Sequence, residues 1–125
     1  MNNNLGNNSV TIADAGYKIV KLVGEPKLPE LMETLKKARA VNAELASRFG
    51  AIHSLWDFSE LTSFAQELVP GTKLFASTSN VDKIAFYGVQ EHLKPLLLEI
   101  AKEIKDQNTV KYFDDKTEAV KWLVI

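Results

Sequence analysis

After Tyr17 the chain alternates short β-type runs with helical ones, and that alternation restricts the folds open to it more than any other feature. The runs are "YKIVKLV", "AIHSLWDF", "DKIAFYGV" and "VKYF", Tyr17–Val23, Ala51–Phe58, Asp82–Val89 and Val110–Phe113. Each is followed by a stretch with helical apolar spacing. A further short strand, Val10–Ala13, precedes them across the turn signal Asp14-Ala15-Gly16. The order is ββαβαβαβα, which predicts a mixed sheet of about five strands with four or so helices packed against it, an α/β fold.

Leu28–Phe49 is the clearest helix. Leu28, Leu31, Met32, Leu35, Ala38, Leu45, Ala46 and Phe49 form one apolar face. Pro29 suits its first turn and Gly50 its end. Asn42 interrupts the stripe, either as a buried hydrogen-bonded residue or as a polar anchor facing a ligand. In Tyr17–Val23, Tyr17, Ile19 and Lys21 face one way and Lys18, Val20 and Leu22 the other. Between the third and fourth strands, helical patches at Phe64–Val69 and Thr72–Ala76 are expected to be broken by Pro70-Gly71. Val89–Ile104 carries a full apolar stripe with Pro95 inside it, which predicts a kink or a start near Lys94. The last helix is expected to be capped by Asp114 or Asp115, with Glu118 in its first turn.

With 125 residues the chain reads as one domain, residues 10–125, able to bury roughly two-thirds of its unfolded surface. Its net charge of −1, with acids and bases interspersed, lacks the footprint of a nucleic-acid binder. There is no cysteine, hence no disulfide, thiol nucleophile or thiolate metal site. No apolar run reaches the length of a transmembrane helix. "MNNNLGNNS" has no secretory character, which makes the cytoplasm the expected compartment. Residues 1–9 are expected to form a disordered tail.

The element order, "DFSEL" after the third strand, an apolar strand ending in Gly88 and "VKYFDDKTEAVKWL" at the end together resemble the STAS superfamily. Within it the chain is most similar to the SpoIIAA-like, or STAS-like, group. That group resembles both anti-sigma-factor antagonists and lipid carriers of the CRAL-TRIO type. The resemblance covers about Val10 to Leu123. It implies a regulatory, non-enzymatic interaction module, or alternatively a small carrier or sensor of a nonpolar molecule. The antagonists are switched by phosphorylation of a serine in an Asp-Ser-Ser-Gly-like motif opening the helix after the third strand. Laid over this chain, that position falls near Ala65-Gln66, which has no hydroxyl, so no phosphosite carries over.

"LWDFSELTSFA", Leu55–Ala65, holds the residues closest to reactive chemistry. Asp57, at the end of a strand, is placed where a catalytic or phosphate-accepting carboxylate can sit. The simpler expectation is that Ser59 or Thr62 caps the next helix while Asp57 bonds loop amides. A nucleophilic serine would need a base, and His53 and His92 are the two histidines. Their spacing makes no metal site. His92 borders an apolar stripe and can line a cleft. "VPGTK", Val69–Lys73, lacks the spaced glycines of a phosphate cradle.

Phe64, Leu68, Val69, Leu74 and Phe75 lie on the segment interrupted by Pro-Gly. They pack as core or form a mobile lid over a nonpolar pocket with Trp56 in its wall. Trp56, Asp57, Ser59, Phe64, Leu68, Phe75 and His92 are therefore the candidate ligand or partner surface. No catalytic residue, metal or cofactor is expected. The expected partner is a protein or a nonpolar small molecule, and a homodimer is compatible with the chain without being demanded by it.

Overall fold

The computed structural model describes residues 4–125. Five strands form one sheet in sequence order: β1 (Ser9–Ala13), β2 (Tyr17–Gly24), β3 (His53–Leu61), β4 (Lys83–Tyr87) and β5 (Val110–Phe113). β1 runs antiparallel to β2, and β2 to β5 run parallel. The helices are α1 (Leu28–Ala40), α2 (Asn42–Phe49), α3 (Val69–Ser77), α4 (Lys94–Ala101) and α5 (Lys116–Val124). Single 3-10 turns at Gln66–Leu68 and Glu91–Leu93 lead into α3 and α4. The predicted order holds, with its first helix divided in two.

The strand faces follow the alternation of side chains. Val20, Leu22, Trp56, Phe58 and Ile84 point to one face and are buried with Leu31, Leu35 and Ala38 of α1, Val69 and Ala76 of α3, and Leu97, Ile100 and Ala101 of α4. Tyr17, Leu55 and Ala85 point to the other, where Ala119 and Leu123 of α5 cover them. Three helices thus cover one face and α5 packs on the other.

Two helix boundaries differ from expectation and two agree with it. α1 and α2 are separated at Val41. Lys18 Nζ donates to the Ala38 carbonyl at 2.7 Å and to Asn42 Oδ1 at 2.8 Å. In an unbroken helix that carbonyl would accept from the Asn42 amide. Pro70 and Gly71 do not break a helix; they lie in the first turn of α3, where proline is tolerated. A Cβ on Gly71 would come within 2.9 Å of the Met32 side chain, so the glycine lets α3 approach α1 closely. α4 does start at Lys94, with Pro95 in its first turn. Asp115, one of the two expected caps, accepts from the Thr117 amide at 2.8 Å.

The expected tail of residues 1–9 is corrected over 4–9; residues 1–3 lie outside the described residues. Leu5 and Asn8 are buried, and Ser9 opens β1. Asn8 accepts from the Val23 amide at 3.0 Å and donates to Thr34 Oγ1 at 3.1 Å, fastening this segment to β2 and α1.

Candidate functional site

The stretch around Asp57 is a bulged strand. β3 continues to Leu61, three residues past the expected end. Its pairing with β2 shifts between Lys21↔Asp57 and Val23↔Glu60, so β3 has one extra residue there. Asp57 is buried and accepts from the Ser59 amide at 2.9 Å and from Ser59 Oγ at 2.6 Å. The carboxylate therefore holds the bulge, as expected of a residue bonding neighbouring amides. The helix-cap role expected for Ser59 or Thr62 is not realised. The 3-10 turn that follows begins at Gln66, and its N-cap, Ala65, makes no side-chain bond.

Ser59 also meets the end of β4. Gly88 has φ +76°, and a Cβ there would lie 2.8 Å from Ser59 Cβ. Glycine answers both the left-handed backbone and the close contact. His92 Nε2 donates to the Thr62 carbonyl at 2.8 Å, joining the entry of α4 to the segment leaving β3. This ring is a strut between two loops. His53 opens β3, distant in the fold from the α4 entry.

The aromatic candidates come together in the interior. Trp56 packs edge-on to Phe75 with ring centroids 5.6 Å apart and lies 6.4 Å from Phe58, which in turn lies 5.5 Å from Phe86. Phe64 and Leu68 are buried and Phe75 is half-buried. A cavity of about 50 Å³ remains between the sheet, α1, α3 and α4, lined by Trp56, Phe58, Phe64, Phe75 and their aliphatic neighbours. Ligand sites ordinarily occupy several hundred Å³, and this space is well below that size. The expected surface therefore divides: Trp56, Phe64 and Leu68 lie inside, Phe75 is shared between the interior and the outer side of α3, Asp57 and Ser59 hold a bulge, and His92 braces a loop.

Two open hollows lie elsewhere. One, about 310 Å³, sits past the carboxyl ends of β4 and β5 and is lined by Phe86, Val89, Lys94, Leu98, Tyr112 and Asp114 among others. The other is a shallow groove of about 480 Å³ between the outer sides of α1 and α3. Met32, Leu35, Gly71, Leu74 and Phe75 supply its apolar wall, and Lys36 and Arg39 its charges. Leu74 is 66% exposed. Arg39 lies 4.7 Å from the Phe75 ring centroid and donates through Nη2 to the Phe75 carbonyl at 3.1 Å and to Thr78 Oγ1 at 2.6 Å.

The expected surface does not include Lys36, Arg39 or Met32, and the sequence pattern places Leu74 in the lid segment. The available signal was phase. Val69, Thr72 and Ala76 share a line at i, i+3 and i+7, which sets Leu74 roughly on the opposite side of the helix.

Lys18 is the other group without a sequence-level role. It is 1% exposed and bonds Ala38 and Asn42. Burial, and secondly the Arg39 cation, lower its pKa from 10.5 to about 8. Asn42, the interruption in the helical stripe, is thus the partner of a buried lysine. Among the described residues no three histidine or carboxylate side chains converge, and no helix is long and apolar enough to cross a membrane.

A parallel sheet with one antiparallel edge strand, covered by α1, α3 and α4 on one face and α5 on the other, is the SpoIIAA-like fold. No family model matches the sequence, and no curated protein matches it significantly. Solved structures do. An uncharacterised protein of the DUF3478 family with a SpoIIAA-like fold, from Shewanella loihica PV-4, superposes with a TM-score of 0.56 at 20% identity. The match covers 93% of this chain and 91% of that one. The anti-sigma factor antagonist SpoIIAA in its unphosphorylated form superposes with a TM-score of 0.50 at 14% identity, covering 91% of this chain and 94% of the other. Identities this low speak for the fold.

Proposed function

We propose that this protein is a non-enzymatic interaction module of the SpoIIAA-like type, which holds a protein partner without a phosphoserine switch. The observation that carries the reading is Leu74. A large apolar side chain in the wall of the groove between α1 and α3 stands 66% exposed, while the space between these helices and the sheet amounts to about 50 Å³. An exposed apolar groove with little interior space favours a docked macromolecule over an enclosed nonpolar ligand. The partner surface accordingly lies on the outer sides of α1 and α3 rather than on the expected set that runs from Trp56 through Ser59 and Leu68 to His92. In Ser59–Leu68 the exposed residues are Glu60, Thr62, Ala65, Gln66 and Glu67, while Phe64 and Leu68 turn inward. Asp57 Oδ1 accepts from both the amide and the hydroxyl of Ser59, which supports a structural role for both residues.

In-cell cross-linking of the full chain, read by mass spectrometry, tests the reading. A partner captured by the wild type and lost from Leu74→Glu, with the melting temperature unchanged, is the expected result. A set of captured proteins indifferent to Leu74→Glu would overturn it. Native mass spectrometry of gently purified protein is expected to give the mass of the chain alone; a retained nonpolar molecule would instead favour the carrier. Asp57→Asn and Ser59→Ala are expected to alter stability and abolish no turnover.

A further inference from the structure

We infer that the α1–α3 groove receives a two-turn amphipathic helix bearing acidic side chains, presented by a partner protein. This rests on the interaction-module reading and names the chemistry of the partner. The groove runs along α1 from Met32 to Ala40, a rise of about 12 Å, or two helical turns. A concavity between two helices fits a third helix laid into it, with apolar side chains at i, i+3 and i+4 meeting Met32, Leu35, Leu74 and Phe75.

Charge selects the flank of that helix. Lys36 and Arg39 are the charged lining residues, and among the described residues no carboxylate lines the groove. Lys36 is exposed and in no ion pair among the described residues. Arg39 makes its side-chain hydrogen bonds within the fold through Nη2, which leaves donors on a guanidinium that has five. The nearby Lys73 is paired with Glu99 at 2.8 Å.

Two other occupants fit less well. A second copy docked through the same groove about a two-fold axis would gather two copies of Lys36 and Arg39 into one interface with no lining carboxylate to offset them. A bilayer, flat on the scale of this groove, would leave the concavity between α1 and α3 unfilled.

The test uses a dye-labelled, end-blocked peptide of about 14 residues, long enough for three to four helical turns. Leucines stand at i, i+4 and i+7 with glutamates on both flanks. A twin has lysine in place of every glutamate, and phosphatidylcholine–phosphatidylserine vesicles form a third arm. Fluorescence anisotropy against the full chain is expected to show saturable binding of the acidic peptide, at least about tenfold tighter than the twin. Leu74→Glu should weaken it by about tenfold or more. Lys36→Glu, at a side chain with no hydrogen bond or ion pair among the described residues, should shift the preference toward the lysine twin.

Equal binding of the two peptides, binding of neither, binding indifferent to Leu74→Glu, or a response to vesicles alone would overturn the inference. So would a wild-type dimer that Leu74→Glu dissolves, since a second copy would then be the occupant. If the acidic peptide fails while cross-linking still yields a Leu74-dependent partner, the inference falls and the module reading stands. If cross-linking yields none, the module reading itself falls.

Discussion

The two faces of the sheet are built differently. Behind α1, α3 and α4 lies a deep aromatic core containing Trp56, Phe58 and Phe64; behind α5 lies a thinner one centred on Tyr17, Leu55, Ala85, Ala119 and Leu123. A groove between helices requires neighbouring helices, and α1 and α3 are neighbours on the deep face. The candidate docking surface therefore follows from the number of helices packed there. Two buried charged residues lie on opposite faces: Lys18 points to the deep face and Asp57 to the thin one.

Truncation should expose the difference most strongly. Phe58 is 4% exposed and packed between Trp56 and Phe86, so Phe58→Ala is expected to cost about 4 kcal/mol in urea unfolding. Leu123 is 1% exposed, but the layer above it is a single helix that can settle onto the sheet. Leu123→Ala is expected to cost about 2 to 3 kcal/mol. Equal costs would break the contrast between the faces.

The next effect concerns Lys18 and has a definite sign. Its pKa is about 8 in the folded protein against 10.5 ordinarily, so below pH 8 both states hold the proton and the folded state bears the whole cost of the buried charge. Between 8 and 10.5 the unfolded chain binds more protons than the folded one, and stability rises with pH. From pH 7 to pH 10 the wild type should gain roughly 2 to 3 kcal/mol relative to Lys18→Met, whose side chain does not titrate. Parallel pH profiles for the two proteins would show that this ammonium is better solvated than its burial implies.

A smaller loss is expected on the thin face. Asp57→Ala removes the acceptor of both Ser59 hydrogen bonds and should cost about 1 to 2 kcal/mol. Asp57→Asn keeps an oxygen for the Ser59 amide and should cost less. If Asp57→Asn proved as damaging as Asp57→Ala, the carboxylate would have a role beyond holding the bulge.

These residues also mark what was legible in the sequence. The order of elements along the chain, the αL cap at Gly50, the choice of Asp114 or Asp115 as a cap and the kink or start expected near Lys94 all depend on neighbours within a few positions, and local pattern reveals them. The break at Val41 depends on Lys18, more than twenty positions earlier in sequence, so the helical stripe alone reads straight through it. Strand β3 runs past Phe58 because Asp57 folds back on Ser59, a pairing that resembles a helix cap when read as letters. Asn8 looked like tail until its partners, Val23 and Thr34, were brought beside it. Of the candidate surface, residue types gave the aromatic cluster, but deciding inside from outside required the phase of α3, which the supposed break at Pro70-Gly71 had obscured.

Leu74 is expected to give the smallest change in stability, and for that reason it is the sharpest test. Its side chain is 66% exposed, so Leu74→Glu removes little buried area and should shift unfolding by less than about 0.5 kcal/mol. Ala76, two positions on and 7% exposed, lies on the inward line of the same helix. Ala76→Glu would force a charge into the deep core and should cost several kcal/mol, on the order of 3 or more. The two substitutions place the same chemistry on opposite sides of α3. If urea unfolding gives them comparable costs, α3 is rotated from the orientation described and Leu74 belongs to the core. If Leu74→Glu is silent in stability yet removes the partner, a surface leucine that contributes almost nothing to folding is retained for what it touches.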